Sequence, residues 1–415
     1  FLTISAILVT IIIMKKCLIS FLLVLVLLFI PLPVTADNTL HISSNAALVV
    51  EFDTGKILYA QDAEKRLPIA SLTKILTVYL TLKEIKAGRL HWQDQVPISE
   101  YAKKLSENPE ISNPTFTKDS YSVQELIDSS LIFSANSSAI ALAEKVAGSE
   151  PKFVDKMKQQ LMDWNISDFH IVNASGLNNT MLGECIYPGS AKTDENEMTA
   201  KDLAIISHHL ISEFPEILKT TSQTKMTFEE EDFTNSNLLL SRQEMAYPGV
   251  DGLKTGTTEN SGYSFIATAL QDKMRVITVI LNAKGEDSSR FSQTKTLLDY
   301  TYQTFEKKRI PKGHVFKEMV TIKRGKKEKI AVKTGEEMII VKKKNTAKLS
   351  FQQDIKNSAS LAPIDKNHYI GKIHFKDSDI KQTAYPGKKE ETTIYTNAFV
   401  KKSNLIDKLL RFFKR

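Results

Sequence analysis

The chain is 415 residues long, 42% hydrophobic and 25% charged, with 16 Gly and 13 Pro; these proportions exclude a fibrous repeat, a disordered chain and a polytopic membrane protein. At roughly 150 residues per domain the length allows two or three domains, and two cysteines exclude a disulfide framework or a Cys-rich metal site. The net charge of +7 hides a split: residues 307–415 hold 28 Lys and Arg against 11 Asp and Glu, a net of +17, and residues 1–306 hold a net of −10, so the acidic body and the basic end are expected to meet different partners.

Met14-Lys15-Lys16 makes a short basic start. Leu18 to Ile30 is an apolar run broken only by Ser20, Pro31 and Pro33 end it, and Val34-Thr35-Ala36 stands where a signal peptidase reads. That is the three-part layout of a secretory signal over residues 1–36, and the run is shorter than the roughly 20 apolar residues of a membrane span. Cleavage is expected after Ala36, giving a secreted chain. The competing reading is a retained anchor lengthened by the apolar residues 4–13. Phe1 is not a start residue, so translation is expected at Met14, with residues 1–13 an artefact of gene-start assignment. Cys17 precedes the apolar run, out of place for a lipoprotein cysteine, and the lone Cys185 reads as an inert thiol.

Ala46 to Ala60 reads AALVVEFDTGKILYA, two β-rich runs around Asp53-Thr54-Gly55-Lys56, a hairpin signal. Residues 71–87 read SLTKILTVYLTLKEIKA, apolar on most faces and stopped by Gly88, which suits a helix buried within a domain. Ser122 with Glu125 forms a capping box for a helix to Phe133. A second helix is expected over 138–147, a third from Pro151 to about Trp164, and a further one over 199–211. Phe265 to Leu270 and Arg275 to Leu281 form a strand–turn–strand unit, and Ser289 to Phe305 a closing helix. Strands, then helices, then strands again predict an α+β domain over 37–306, an antiparallel sheet packed on a helical cluster, with the terminal strands in one sheet.

Near Arg309-Ile310-Pro311-Lys312-Gly313 the helical patterns stop. Short β-rich runs then alternate with Lys-rich turns, as in MVTIKRGKKEKIAVKTG and TTIYTNAFV, predicting a small all-β domain over 310–400. Residues 402–415 end in SNLIDKLLRFFKR, with Leu405, Ile406, Leu409, Leu410, Phe412 and Phe413 on one helical face and cations near the other. A cationic helix of this kind suits an anionic membrane surface; docking on its own domain is the alternative.

Three short motifs occur in order: Ser71-Leu72-Thr73-Lys74 (S-x-x-K), Ser134-Ala135-Asn136 (S-x-N) and Lys254-Thr255-Gly256 (K-T-G), continued by Thr257. Singly they are weak. K-T-G recurs at Lys333-Thr334-Gly335, in the basic β region, where it reads as a decoy. The ordered set, opening a buried helix, falling between two helices and preceding a strand pair, carries the weight. A serine hydroxyl is a poor nucleophile without a base, and positions i and i+3 of a helix share a face, so Ser71 and Lys74 are expected side by side. Lysine is a base only when neutral, which burial or a nearby cation such as Lys254 favours. Asn136 is suited to accept from a lysine ammonium and donate to a substrate carbonyl, and Ser134 to relay a proton to a leaving amine. Lys254 and Thr255 offer a cation and a hydroxyl to a carboxylate, and Gly256 lets an extended peptide approach.

Other polar residues carry less. His208 and His209 are adjacent and do not face one another on a helix, His170 reads as a satisfied histidine, and Glu229 to Asp232 as a solvated turn. With no H-E-x-x-H and no Gly-rich phosphate loop, no metal and no organic cofactor are expected. A secreted chain does not meet nucleic acid, so the basic end is assigned to anionic lipid or wall polymer.

At these residues the chain resembles the low-molecular-mass penicillin-binding proteins, the serine-type D-alanyl-D-alanine carboxypeptidases, whose signature is this trio. LPIASLTKILT, FSANSSAIALAE, IVNASGLNN, TNSNLLL and GVDGLKTGTTENSGYSFIATA resemble segments of that family in family order. The β region and tail resemble its C-terminal domain and anchor, and NNTMLGECIYPGSAKTDENEMTAKDLAII is similar to low-GC Gram-positive members. The resemblance implies a transpeptidase-like fold and removal of the terminal D-Ala from peptidoglycan stem pentapeptides at the outer face of the cytoplasmic membrane. It implies Ser71 as acylated nucleophile, also acylated by β-lactams, and Lys74 as its base. Ser134 and Asn136 would relay and orient, Lys254 and Thr255 bind the terminal carboxylate, and the backbone N–H groups of Ser71 and Thr257 form the oxyanion hole. Some members carry His where Thr257 stands. A β-lactamase is the alternative enzyme, but no convincing E-x-x-L-N segment lies between the second and third motifs. A non-catalytic wall-binding protein is the alternative from another class.

Overall fold

The computed structural model describes residues 40–407 except 347–348, 357–359, 377–379, 381 and 389. The secretory signal expected over residues 1–36, and the part of the expected terminal helix from residue 408 onward, lie outside the described residues. The described residues from Ile42 onward form one unit. Among the described residues no helix is long and apolar enough to cross a membrane.

β1 (Ser44–Glu51) and β2 (Ile57–Gln61) flank the Asp53–Lys56 turn. They join β3 (Val250–Thr258), β4 (Gly262–Gln271) and β5 (Met274–Ala283). The sheet order is β2-β1-β5-β4-β3, every neighbour antiparallel. Leu48 of β1 lies opposite Val279 of β5, so strands more than two hundred residues apart share the centre. Val276 to Leu281 are all buried, which requires cover on both faces of β5. β3 closes one edge, leaving the backbone groups of its outer side without a strand partner.

The cover and the rest of the core are helical. A 3₁₀ turn (Ala70–Thr73) leads into α1 (Lys74–Lys86). α2 (Val123–Ile132) starts at the Ser122–Glu125 capping box, and α3 (Asn136–Ala147) stops at Gly148 with φ +80°. α4 (Glu150–Asp163), α5 (Ala200–Glu213) and α6 (Ser289–Thr304) follow, α5 opened by a second capping box of Thr199 with Asp202. α5 and α6 both pack on β5.

Three expectations change in detail. Ser71 precedes the α-helix, in the 3₁₀ turn. Residues i and i+3 eclipse there, so the pairing with Lys74 survives. α3 begins at Asn136, two residues early, which makes Asn136 the first helical residue. K-T-G precedes the β4–β5 pair as expected and itself lies inside a further strand, β3: Gly252, Gly256 and three threonines break the period-two pattern, and pairing with β4 defines the strand instead.

From Phe305 to Thr396 the elements among the described residues are strands. β6 (Phe305–Ile310) pairs with β9 (Met338–Lys343), and β7 (Val315–Thr321), β8 (Lys329–Thr334), β10 (Phe351–Ile355), β11 (Tyr369–Phe375) and β12 (Glu391–Thr396) form a second sheet, order β7-β8-β12-β11-β10. Its core includes Val320, Ile322, Val332, Ile370, Ile373 and Ile394. The second K-T-G serves this fold, since Thr334 is buried and its hydroxyl donates to the Pro311 carbonyl at 2.7 Å.

The two parts meet at the β1–β2 hairpin. Lys307 lies 3.2 Å from the fully buried carboxylate of Glu51 and 2.7 Å from Asp53, and Lys388 lies 3.1 Å from Asp53. Burial raises the Asp53 pKa, but the two lysines outweigh it and hold the carboxyl below its usual range. Lys56 pairs with Glu390 at 2.7 Å. The Ala384 N–H donates to the Gly55 carbonyl at 2.8 Å, and the Ile57 N–H to that of Gln382 at 3.0 Å. Gly55 sits at φ +71°, and a Cβ there would run into the Tyr385 carbonyl, so only glycine fits. The Tyr385 ring stacks on His208 at 4.0 Å between centroids, and its hydroxyl donates to the Phe52 carbonyl at 3.1 Å.

Burial, with a smaller effect from His209, lowers the His208 pKa to about 4, so the imidazole under Tyr385 is neutral at pH 7. An unfolded histidine titrates near 6.5, so between these values the unfolded chain binds the extra proton and stability falls as pH falls. Equilibrium unfolding from pH 7 to pH 4 is expected to show a loss on the order of 1–2 kcal/mol from this group, discounted for partial exposure. His208→Phe, which keeps a ring against Tyr385, is expected to flatten that part of the profile; an unchanged slope would count against the assignment.

Candidate active site

Lys74 is the first residue of α1 and is fully buried. Its Nζ is 2.8 Å from Ser71 Oγ, 2.7 Å from Asn136 Oδ1 and 2.7 Å from the Ser175 carbonyl oxygen. Asn136 Oδ1 and the carbonyl are acceptors only, so two amine protons are committed to them. The remaining position on nitrogen faces the Ser71 hydroxyl. Burial, and then the charge of Lys254, hold the Lys74 pKa well below the usual lysine range. A neutral amine in this setting directs its lone pair at Ser71.

Asn136 is oriented by its other end, where Nδ2 donates to the Ser112 carbonyl at 3.0 Å. Ser134 stands just before α3 at φ +71°, a conformation uncommon for a residue with a Cβ. The three hydrogen bonds of Lys74 Nζ go elsewhere, so the structure brings Ser134 to the mouth of α3 but not into that network. The Ser175 carbonyl belongs to a turn held by Asn173, whose Oδ1 accepts from the Ser175 and Gly176 N–H groups at 3.2 and 2.6 Å. Gly176, at φ +84°, presses on the nucleophile turn: a Cβ there would collide with the Ala70 carbonyl.

β3 forms the opposite wall. A Cβ on Gly256 would lie 2.9 Å from the Ile69 carbonyl and 3.3 Å from the Leu72 nitrogen, which shows how closely the strand passes the Ser71 turn. Lys254 is buried, its Nζ donating to the Thr255 carbonyl at 2.9 Å. Burial, and secondarily Arg290, lowers its pKa to about 7. Thr255 Oγ1 is 2.6 Å from Ser236 Oγ. Arg290 of α6 reaches behind the strand, Nη1 donating to Thr257 Oγ1 at 2.8 Å and to the Gly256 carbonyl at 3.2 Å, and it pairs with Asp287.

Ser71, Asn136 and Thr257 line one cleft of about 410 Å³, walled further by Ser112, Leu177 and Glu195. Glu195 ties that wall together: Oε2 accepts from Thr258 Oγ1 at 2.8 Å, and Oε1 from Asn260 and Asn178 side chains at 2.9 and 3.0 Å. The arrangement suits nucleophilic attack by Ser71 on a peptide laid against the β3 edge, with cations behind its carboxyl end. Sequence reading gave no role to Ser175, Ser236, Glu195 or Arg290; the first three fall within segments that carry the family resemblance, IVNASGLNN, TNSNLLL and the stretch from Asn178 to Ile206, and Arg290 in none. His170 contacts Asp194 at 3.2 Å, His209 stacks on Trp164 at 4.2 Å, and Cys185 is an exposed free thiol. Among the described residues no group of three His, Cys, Asp or Glu side chains is placed to hold a metal.

Comparison with known proteins matches this architecture. Residues 33–285 fit the model of the Peptidase S11 family, D-alanyl-D-alanine carboxypeptidase. The chain is 30% identical over 342 residues to D-alanyl-D-alanine carboxypeptidase DacF of Bacillus subtilis, covering 80% of this chain and 81% of that protein. The crystal structure of a peptidoglycan synthesis regulatory factor, PBP3, from Streptococcus pneumoniae is similar with a TM-score of 0.74 at 36% identity, covering 87% of this chain and 100% of that one. Penicillin-binding protein D2 from Listeria monocytogenes, in its ampicillin-bound form, matches with a TM-score of 0.53 at 32% identity over 63% of this chain and 97% of its own. With the family model spanning more than half its length, the chain belongs to the Peptidase S11 family of serine-type D-alanyl-D-alanine carboxypeptidases.

Proposed function

We propose that Ser71 is the nucleophile that removes the terminal D-Ala from peptidoglycan stem peptides, with Lys74 as its base. The observation that carries this is the buried Lys74 amine 2.8 Å from Ser71 Oγ, with its protons committed to Asn136 and Ser175. Ser71 Oγ gives its proton to Lys74 Nζ and attacks the carbonyl carbon between the two D-Ala residues. The oxyanion is stabilised by the N–H groups of Ser71 and Thr257. The C–N bond breaks, the leaving amine takes the proton through Ser134, and D-Ala departs. Water then hydrolyses the Ser71 ester. Asn136 orients the lysine and the peptide. Lys254 and Thr255 hold the terminal carboxylate, and Gly256 and Thr257 present the β3 edge to the substrate backbone. Arg290 supports both by fixing Thr257 and adding charge behind the pocket. β-Lactams acylate the same serine and leave slowly.

The chain acts in the cell wall space: residues 1–36 direct secretion, and the C-terminal segment 402–415 holds the enzyme on the anionic outer face of the cytoplasmic membrane as an amphipathic helix. The net charge of +17 over residues 307–415 supports this placement.

Purified protein is expected to release D-Ala from a muramyl pentapeptide and to be labelled by fluorescent penicillin. Ser71→Ala is expected to abolish labelling and cut D-Ala release by on the order of 10³-fold or more. Folded protein that releases no D-Ala would overturn the reading, and rapid multiple turnovers of a chromogenic cephalosporin would assign it to the β-lactamases instead.

The two lysines set a pH profile. kcat/KM reports the free enzyme, where Lys74 must be neutral and Lys254 charged, and the pair titrates together. Activity is expected to fall in acid as Lys74 takes a proton and to fall above about pH 7 as Lys254 loses one. Lys254→Arg, permanently charged, is expected to move the alkaline limb up by a unit or more; a profile identical to wild type would remove Lys254 from this role.

A further inference from the structure

Eight large hydrophobic side chains are exposed among the described residues, and four of them, Leu361, Phe399, Leu405 and Ile406, lie at one end of the β region. Three segments are laced together there. The Ala362 N–H donates to the Lys323 carbonyl at 3.0 Å and the Lys323 N–H to that of Ser360 at 2.8 Å. On the other side, the Lys326 and Ser403 N–H groups donate to the Lys401 and Arg324 carbonyls at 2.6 and 2.8 Å. Ile364 and Val400 are bridged across the same corner. Their inward neighbours Ile322, Ala362, Ile364 and Val400 fill the β core, which turns Leu361 and Phe399 outward on a fixed frame.

The same three segments carry cations. Lys323, Arg324, Lys326, Lys401 and Lys402 are all exposed, five cations against two acids on the same segments, Asp407, 3.8 Å from Lys326, and Glu328, whose carbonyl accepts from the Ile322 N–H. Residues 408–415, KLLRFFKR, continue the chain from this corner with four more cations and four apolar residues. β12 starts next to Glu390 at the interdomain contact and ends beside Asn397, so about 20 Å of strand separates this corner from the catalytic part. Exposed apolar residues scattered singly are ordinary, but a cluster ringed by charge marks a contact surface.

We propose that this corner of the β region is a second membrane-docking face, in which Leu361 and Phe399 enter the headgroup layer of an anionic bilayer while the surrounding lysines meet lipid phosphates. The inference rests on the membrane reading of the C-terminal segment and extends it from attachment by the tail alone to a two-point contact made partly by the folded β region. Apolar residues on a rigid frame distinguish a bilayer from a wall polymer, which would need the cations alone. Two contacts fix orientation where a single anchor leaves the body free to rotate.

The test uses the full chain and vesicles of equal parts phosphatidylglycerol and phosphatidylcholine. Leu361→Ser with Phe399→Ser is expected to lower vesicle partition about tenfold with an unchanged melting temperature. The emission added by Phe399→Trp is expected to be quenched by brominated lipid, with the parent chain, carrying Trp92 and Trp164, as the blank. If the parent fails to bind vesicles, the membrane reading and this proposal both fall. If the parent binds, the double variant binds equally and the new tryptophan is unquenched, the tail anchors alone and only the docking face is overturned. Absence of bromolipid quenching, whatever the affinity of the double variant, would show that position 399 does not enter the bilayer and would overturn it as well.

Discussion

The site depends on taking one amine out of water. A charged lysine buried alone costs many kcal/mol, and the group resolves this by becoming neutral and by filling its bonding positions. Lys74 does both, with Asn136, Ser175 and Ser71 as its partners. Those partners come from three separate stretches of chain, so the helical cluster has to bring α1, the start of α3 and the Asn173–Gly176 turn to a common point. Leaving any of the three bonds unmade would strand a buried polar group at a cost of about 1–3 kcal/mol. The catalytic arrangement and the packing of the helical core are therefore one requirement.

The sheet supplies the other wall by topology. β3 is an edge strand, yet it is pressed against the Ser71 turn through Gly256 and braced from behind by Arg290. Two cations, Lys254 and Arg290, sit where water is largely excluded, and burial weakens the hold of each on its proton, with Arg290 adding to the effect at Lys254. An anion placed beside them would relieve that repulsion.

Local patterns were legible in the sequence. The Ser122 and Glu125 capping box, the spacing of Ser71 and Lys74 and the hairpin at Asp53–Lys56 each operate within a few residues, and the antiparallel sheet with paired terminal strands followed from element order. The resemblance to the family rested on the same short motifs. Sequence alone did not show contributions that are backbone or distant. The Ser175 carbonyl carries no side-chain signature, Arg290 lies on an unremarkable helix that meets the K-T-G strand only through sheet order, and Glu195 acts across a loop. A strand edge at Gly256 was expected, but the extent of that strand from Val250 to Thr258 was hidden because its glycines and threonines break alternation, while cross-strand pairing, a non-local effect, overrides that weakness.

The hairpin that opens the chain's first sheet is also the socket for the loop around Tyr385. Ala384 and Tyr385 are buried together with side chains of the catalytic core, so the hydrophobic interior of the first part is completed by residues encoded some eighty positions after its last helix. A chain ending after α6 would therefore bare the His208 ring and strip the Lys307 cation from the buried Glu51 carboxylate, leaving it only the Thr54 N–H and hydroxyl.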